Sequence, residues 1–542
     1  MRFEQQISVC VRVSAVVALA AGLFASGSGV SASEQPPAAQ PAATRLNEPG
    51  TGPQLHISSD EAVRLALENN LGIEAARLSP EIQAFAVAQT RAAYAPNLFS
   101  TASRSSRSRP PTEFLSGGEG IRVNTSEGFS SSAGVQQNLL WGGGRYSVSL
   151  DGGRTTTNNP FDQVNPNITS NFTFNFTQPL LRNFTIDPTR QALLVGQKQQ
   201  EIVDVQLEQQ ITQTARSVRL TYLTLVAAIS QLEVAQESLA LSQQLLRNNE
   251  LRLEAGVMAP IDIVEAQAEV ASREEGVIVA ETRIRTLEDE LRTLIMRPDQ
   301  PDYWTARIIP SEQPQLTPQA VDVEAAVANA LNNRTDLLQA RKRLEQTDIN
   351  MRGARNQRLP DINALVNYGL VGVAGTQREF DYDAGILPPP IRTETQRSFS
   401  GALRDIFGNE FRTWSVQLQV NYPIGTSIAD AALAQSRIQR QQGVTELQQL
   451  ELNVARQVRD AARQVDTSLR RVEATERSRS LMQQRFEAEE KRMSVGLSTT
   501  FQLFQAQRDL SNARLAELNA IIAYNQALLN LETVQRAPMG GS

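Results

Sequence analysis

Cysteine and histidine are almost absent, with one of each in 542 residues. That excludes thiol and imidazole chemistry and Cys/His metal sites at the outset. The remaining catalytic signatures are missing too: no Lys-Ser/Thr phosphate loop, no Ser/His/Asp set and no metal-spaced cluster. Aromatic residues make up only 5 % of the chain and charged residues 20 %. No basic excess is present. The formal net charge is −6 and the pI about 5.4, which speaks against a nucleic-acid binder. A mean hydropathy of −0.31 excludes a helical membrane protein. Glutamine, by contrast, is abundant at about fifty residues, well above ordinary usage. It suits long solvated helices and polar pore walls better than a compact core.

Residues 1–32 read as an export signal. Arg2 and Arg12 supply positive charge, Val13 to Phe24 form an apolar run, and Val30-Ser31-Ala32 is a small-x-small cleavage pattern. The run is shorter than the ~20 apolar residues a spanning helix needs. Cys10 precedes it, where no lipid anchor is attached, so the mature chain is expected without cysteine or disulfides. Residues 33–56, rich in Pro, Ala, Gln and Gly, read as a flexible leader. The lone His56 is an expected surface residue.

Helix-like and strand-like blocks alternate on a large scale. Residues 60–95 read as helix, stopped by Pro96. Residues 97–178 shift to Ser, Thr, Asn, Gly and Phe. From Gln197 to Ala255 there is neither Gly nor Pro. In that stretch Val203, Leu207, Ile211, Ala215, Val218, Tyr222, Leu225, Ile229 and Leu232 recur in steps of three and four, a coiled-coil stripe. At 1.5 Å per residue such a helix spans roughly 90 Å, so its partners must be other long helices. A second helix is expected from Ile261 to Met296. Residues 298–320 form a Pro-rich insert.

The pattern then repeats. Ala62 to Asn70 aligns with Ala326 to Arg334, Arg77 with Arg341, Arg91 with Arg355 and Pro96 with Pro360. Farther on, Arg252 and Gly256 align with Arg492 and Gly496, and Ala266-Gln267 with Ala506-Gln507. One register holding over about 35 residues, with matching motifs in the same order farther on, indicates tandem duplication: residues 57–297 and 321–535, with a short tail at 536–542. Each half reads helix, strands, very long helix, helix.

The strands carry the most specific signal. Phe172, Phe174 and Phe176 alternate with Thr and Asn. Trp414, Val416, Leu418, Val420 and Tyr422 alternate with Ser415, Gln417, Gln419 and Asn421. Successive side chains of a strand point to opposite faces, so each strand has one apolar and one polar face. A soluble sheet on a core would show this, and so would a transmembrane barrel, apolar toward lipid and polar toward water. Three features favour the barrel: strands of about nine residues, aromatics at their ends, and no segment left over to supply a globular core.

This arrangement resembles the TolC-like outer membrane efflux protein family over nearly all of residues 57–535. The motifs are Asp60-Glu61-Ala62-Val63 with Glu68-Asn69-Asn70, Ala92-Ala93-Tyr94-Ala95-Pro96, Thr177-Gln178-Pro179-Leu180-Leu181-Arg182, Asn333-Arg334-Thr335-Asp336-Leu337, Ala255-Gly256-Val257 and Val495-Gly496-Leu497-Ser498. Each is weak alone; their order, spacing and duplication are strong. The resemblance implies an α+β membrane protein in which a trimeric transmembrane β-barrel continues into a long α-helical coiled-coil barrel. It also implies a non-enzymatic exit duct in the outer membrane of a Gram-negative bacterium, without cofactors. Its implied partners are two further copies, a periplasmic adaptor, an inner-membrane pump of RND, ABC or MFS type, and outer-membrane lipid. A soluble exported coiled-coil scaffold is the competing reading, but it gives no reason for an apolar strand face.

Several residues carry further expectations. Gly256 and Gly496 end the long helices, where glycine supplies the left-handed conformation that reverses the chain. By the resemblance, Ala255, Gly256, Val257, Val495, Gly496, Leu497 and Ser498 form the periplasmic tip that meets the adaptor. Asp262 and Glu265 are aperture candidates, since acidic rings favour cations in a narrow pore; a helix-start carboxylate favoured by the dipole reads equally well. Gln502 and Gln505 stand where the family would place an aspartate pair, and Ser498 where a gating Arg is expected, so a charged lock is in doubt. Arg104, Arg107 and Arg109 read as an outward loop. Finally, residues 97–178 outnumber their counterpart 361–422. The surplus, about residues 128–155, contains Gly142-Gly143-Gly144 and is either a further hairpin of the barrel or a long outer loop. The first option raises the four strands per copy that the resemblance implies to six.

Overall fold

The structure is a computed structural model that describes residues 53–110, 123–256, 259–312, 316, 318–386, 389–425 and 427–537. The expected signal, most of the leader, Val257 and residues 538–542 lie outside the described residues.

Duplication is visible element by element. In the first half, α1 (Ser59–Asn69) and α2 (Leu71–Ala92) precede the strands; α3 (Pro188–Glu254) and α4 (Pro260–Ile295) follow them. In the second half, α5 (Val323–Asn333) and α6 (Thr335–Gln357) match the first pair, as α8 (Ile428–Ser494) and α9 (Thr500–Val534) match the second. Both long helices, α3 and α8, have 67 residues, about 100 Å at 1.5 Å per residue. Asp187 caps α3 by accepting from Thr189 and Arg190 N–H. Ser427 and Asp430 form a capping box on α8.

The block 60–95, expected as one helix, is two. Asn70 turns the chain at ψ 119° and accepts from the Ile73 N–H, so one residue ends α1 and begins α2. Arg334 makes the same break between α5 and α6. Each break is braced identically: an Arg guanidinium reaches back ten residues to a carbonyl, Arg77 to Leu67 and Arg341 to Leu331, both at 3.0 Å.

Two cores sit around the middle of the long helices. Ala62, Ala66, Val218, Tyr222, Leu225, Leu287, Leu291 and Ile295 cluster in the first half. Ala326, Ala330, Val458, Ala462, Val465, Tyr524 and Leu531 cluster in the second. Part of α3 is apolar and long enough to cross a membrane by composition, yet Val218, Tyr222 and Leu225 are buried in protein. Near the helix ends Phe486, Leu503, Ala506 and Leu510 pack with Leu241 and Leu245, joining α3 to α8 and α9.

The leader ends sooner than expected. Gln54–Ile57 form β1, which pairs in parallel with β6 (Arg307–Pro310) inside the Pro-rich insert. His56 in β1 is exposed, as expected. Residue 536 is likewise not a loose tail: its carbonyl accepts from the Thr335 N–H at 3.0 Å, and Ala537 is buried.

The large sheet contains β2 (Asn97–Arg109), β3 (Asn124–Asn138), β4 (Arg145–Thr157), β5 (Val164–Pro179), β7 (Asp361–Phe380), β8 (Ile391–Arg397) and β9 (Arg412–Asn421). Its order is β2-β3-β4-β5-β7, and β7 then pairs with β9 along its first half and with β8 at its far end. All of these pairs are antiparallel. Residues 128–155 therefore belong to the sheet: β3 and β4 are a hairpin inserted between β2 and β5. Its turn is closed by Leu139 N–H donating to Gly144 C=O at 2.7 Å. Arg104, Arg107 and Arg109, expected in a loop, lie on β2, because the pairing with β3 runs on to Asn124.

Candidate functional site: a two-faced sheet and two helical tips

The cross-strand register shows what the six long strands present. One row reads Leu98, Val135, Val148, Phe174, Tyr368, Trp414, from β2 to β9. The adjacent row, one residue along, reads Asn97, Gln136, Ser147, Asn175, Asn367, Ser415. Every member of the first is apolar or aromatic and every member of the second is polar and uncharged. Because strand side chains alternate, the two rows lie on opposite faces. The inserted hairpin obeys the same division as its neighbours. The polar side chains also bond along their row: Asn175 Nδ2 donates to Ser147 Oγ at 3.4 Å, and Asn367 Nδ2 to Ser415 Oγ at 3.1 Å.

Phe172, Phe174 and Phe176 share the apolar face with Leu370, Tyr368 and Val366, and all three are half-buried. Trp414, Val416, Leu418, Val420 and Tyr422 are 58–68 % exposed. Such a stripe of exposed large apolar groups is far from ordinary for a surface in water.

A nine-residue helix, α7 (Phe399–Phe407), went unread from sequence because it lies between strands. The spacing of Phe399, Leu403, Ile406 and Phe407 was the available signal. It packs on β5 and β7, where Ala402, Ser170 and Ala374 are all buried. A Cβ on Gly372 would stand 2.0 Å from the Ala402 carbonyl oxygen, so only glycine admits the helix. Arg397 pairs with the buried Asp405 of α7 at 2.9 Å.

At the opposite end of the molecule are two helical turns. Gly256 has φ 72° and Gly496 φ 76°. With no atom near either absent Cβ, the glycines serve conformation alone. In the second turn Leu497 N–H donates to Arg492 C=O at 2.9 Å and Gly496 N–H to Met493 C=O at 3.2 Å, satisfying the last helical carbonyls. Ala255 caps α3 through Leu251 C=O. Val495 and Leu497 are 68 % and 70 % exposed. The Ser498 hydroxyl donates to the Glu489 carboxylate.

Among the aperture candidates, Asp262 lies in the first turn of α4 and is half-buried, whereas Glu265, Gln502 and Gln505 are exposed. Gln502 N–H donates to its cap, Thr499 Oγ1, at 3.3 Å. Sequence reasoning missed the charge contacts that bind the two halves here. Arg508 on α9 reaches Glu269 on α4 at 3.2 Å, and Arg514 on α9 reaches Glu237 on α3 at 2.8 Å. Gln507 is buried and donates to Ser242 Oγ on α3 at 3.0 Å. No spacing rule links residues more than 200 positions apart, so only duplication offered a hint.

Higher on the helices, Lys198 and Glu201 of α3 meet Lys342 and Glu345 of α6, with contacts of 2.7–2.9 Å across the pair. Hydrogen bonds from Lys198 and Lys342 hold the Glu201 carboxyl below its ordinary value, and the same carboxylates raise both lysines. No group of three or more metal-ligating side chains is present among the described residues.

Comparison with known proteins places these features. The model of the family described as outer membrane efflux protein matches residues 146–295 and 326–534. The outer membrane channel CmeC of Campylobacter jejuni superposes with a TM-score of 0.62 at 14 % identity, covering 88 % of this chain and 85 % of that one. VceC of Vibrio cholerae gives 0.60 at 16 %, covering 88 % and 96 %. The open-state channel MtrE of Neisseria gonorrhoeae gives 0.59 at 16 %, covering 88 % and 89 %. No curated protein matches significantly.

Proposed function

This chain belongs to the outer membrane efflux protein family, and on that premise we propose that it is the exit duct of a tripartite efflux or type I secretion system. Membership makes it a non-enzymatic outer-membrane channel. In our reading three copies form the duct. The apolar strand face, including Phe172, Phe174, Phe176 and Trp414 through Tyr422, meets lipid. The polar face lines a water-filled lumen. A periplasmic adaptor docks on the tips, and an inner-membrane pump supplies the energy. Cargo is drugs, other small molecules or proteins.

The observation that carries this reading is the pair of six-strand rows, wholly apolar on one face and wholly polar on the other, set on helices of 67 residues. A soluble scaffold gains nothing from that exposed apolar face. The exposed Val495 and Leu497 support docking at the tips, where Leu497→Glu or Gly496→Trp tests it. Dye efflux, adaptor crosslinking and trimer abundance are measured in the same cells. We expect efflux and crosslinking to fall together while the trimer stays in the outer membrane. Normal efflux in both variants removes the tip from the mechanism, and recovery of the wild type as a soluble monomer removes the duct itself.

A further inference from the structure

We propose that the open edges of β2 and β9 pair between neighbouring copies, closing an eighteen-stranded exit barrel as wide as the helical tube below it. This rests on the three-copy reading above. Three observations carry it.

The first is the unpaired edges. Among the described residues, β2 has no strand partner on the side away from β3, and β9 has none on the side away from β7. In a bilayer such edges leave backbone groups without water or protein partners, so a membrane sheet must close. The second is direction. With every neighbour antiparallel and six strands in the circuit, β2 runs away from the helices and β9 returns to them. A copy of β9 therefore approaches β2 antiparallel, with Leu98 and Trp414 on one face and Asn97 and Ser415 on the other. The row pattern continues across the junction without a slip.

The third is perimeter. At the sheet end, α2 packs on α3, α3 on α6 and α6 on α8. Their strands follow in the same order: β2 leaves α2, β5 leads to α3, β7 leaves α6 and β9 leads to α8. Four helices spaced about 9–10 Å apart occupy about 38 Å of circumference per copy. Six strands about 4.8 Å apart and tilted about 40° occupy about 38 Å as well, whereas four would occupy only about 25 Å. The β3–β4 hairpin supplies the difference. Three copies then give a barrel about 36 Å between backbones, against about 24 Å for twelve strands. The exit no longer narrows relative to the tube, so the barrel is not where cargo is selected by size.

The test is electron microscopy of the full chain in lipid nanodiscs, which counts copies and strands separately. We expect three copies and eighteen strands, with β9 of each copy against β2 of the next. Three copies with twelve strands, β2 lying directly on β5 and the hairpin outside, would overturn the wide barrel and leave the trimer standing. Any other copy number would overturn the three-copy reading and the eighteen strands with it. Intersubunit disulfides give an in-cell check. Single cysteines at Phe99 or Thr101 in β2 are combined with single cysteines at Ser415 or Gln417 in β9, in a Cys10→Ser background. Linked species ending at three copies support the junction; no linkage from any of the four combinations overturns it.

Discussion

Leu418→Arg asks the sheet which way it faces. Leu418 is central in the exposed stripe of β9, four residues from Trp414 and four from Tyr422. At about 3.3 Å per residue and a tilt of about 40°, each aromatic lies about 10 Å from it in depth, which puts Leu418 near the bilayer midplane. Its cross-strand partner is Ala364, followed by Gln178 on β5, and neither offers a carboxylate to an introduced guanidinium. An arginine on the lipid face at this depth costs about 2–4 kcal/mol, equivalent to about 30- to 1,000-fold in the folding equilibrium. Gln417 is the control. It lies on the opposite face beside Leu365 and Thr177, where water would receive the charge. The assay is urea-dependent folding into lipid vesicles, with outer-membrane trimer abundance as the cellular readout. We expect Leu418→Arg to fold poorly and Gln417→Arg to stay near wild type. Equal losses in both, or the greater loss in Gln417→Arg, would refute the facing.

Other outcomes follow from the same structure. Gly372→Val drives a side chain into the Ala402 backbone; overpacking of this kind costs about 1–3 kcal/mol, and protease cleavage at α7 should accelerate while the remaining sheet stays paired. Arg77→Ala and Arg341→Ala remove the same brace from the two halves. Each should raise hydrogen exchange at its own helix break by a similar factor, worth about 1 kcal/mol, and an effect at one break alone would contradict the structural equivalence. The cluster of Lys198, Glu201, Lys342 and Glu345 sets a pH response. Glu201 is held below 4.5, so its contribution is full above that value and fades as pH falls through the lowered one. Lys198 and Lys342 are raised above 10.5, so theirs is full below 10.5 and fades as pH climbs through the raised values. Partial exposure keeps the whole effect within about 1 kcal/mol. Exchange protection along α3 and α6 should drop at both extremes, and Glu201→Gln should abolish the acid-side change.

Much of this molecule was legible in the order of its residues. The α3 stripe from Val203 to Leu232 specified a long packed helix, since a period of three and four has no other structural meaning at that length. The correspondence of Ala62 with Ala326 and of Gly256 with Gly496, in the same order along the chain, specified two similar halves. Alternation in Phe172–Phe176 and Trp414–Tyr422 specified two-faced strands. Alternation tells which face a side chain joins and says nothing about which strand lies alongside, because any strand with the same period fits. That is why residues 128–155 stood equally as loop or hairpin, and why tertiary pairing had to insert β3 and β4 between β2 and β5. The same limit hid the contacts of Arg508 with Glu269 and of Gln507 with Ser242, which arise only when two separately legible helices are brought side by side. Local sequence determined the elements and their faces through backbone geometry. Neighbours, and hence the number of strands in the sheet, were decided by long-range packing.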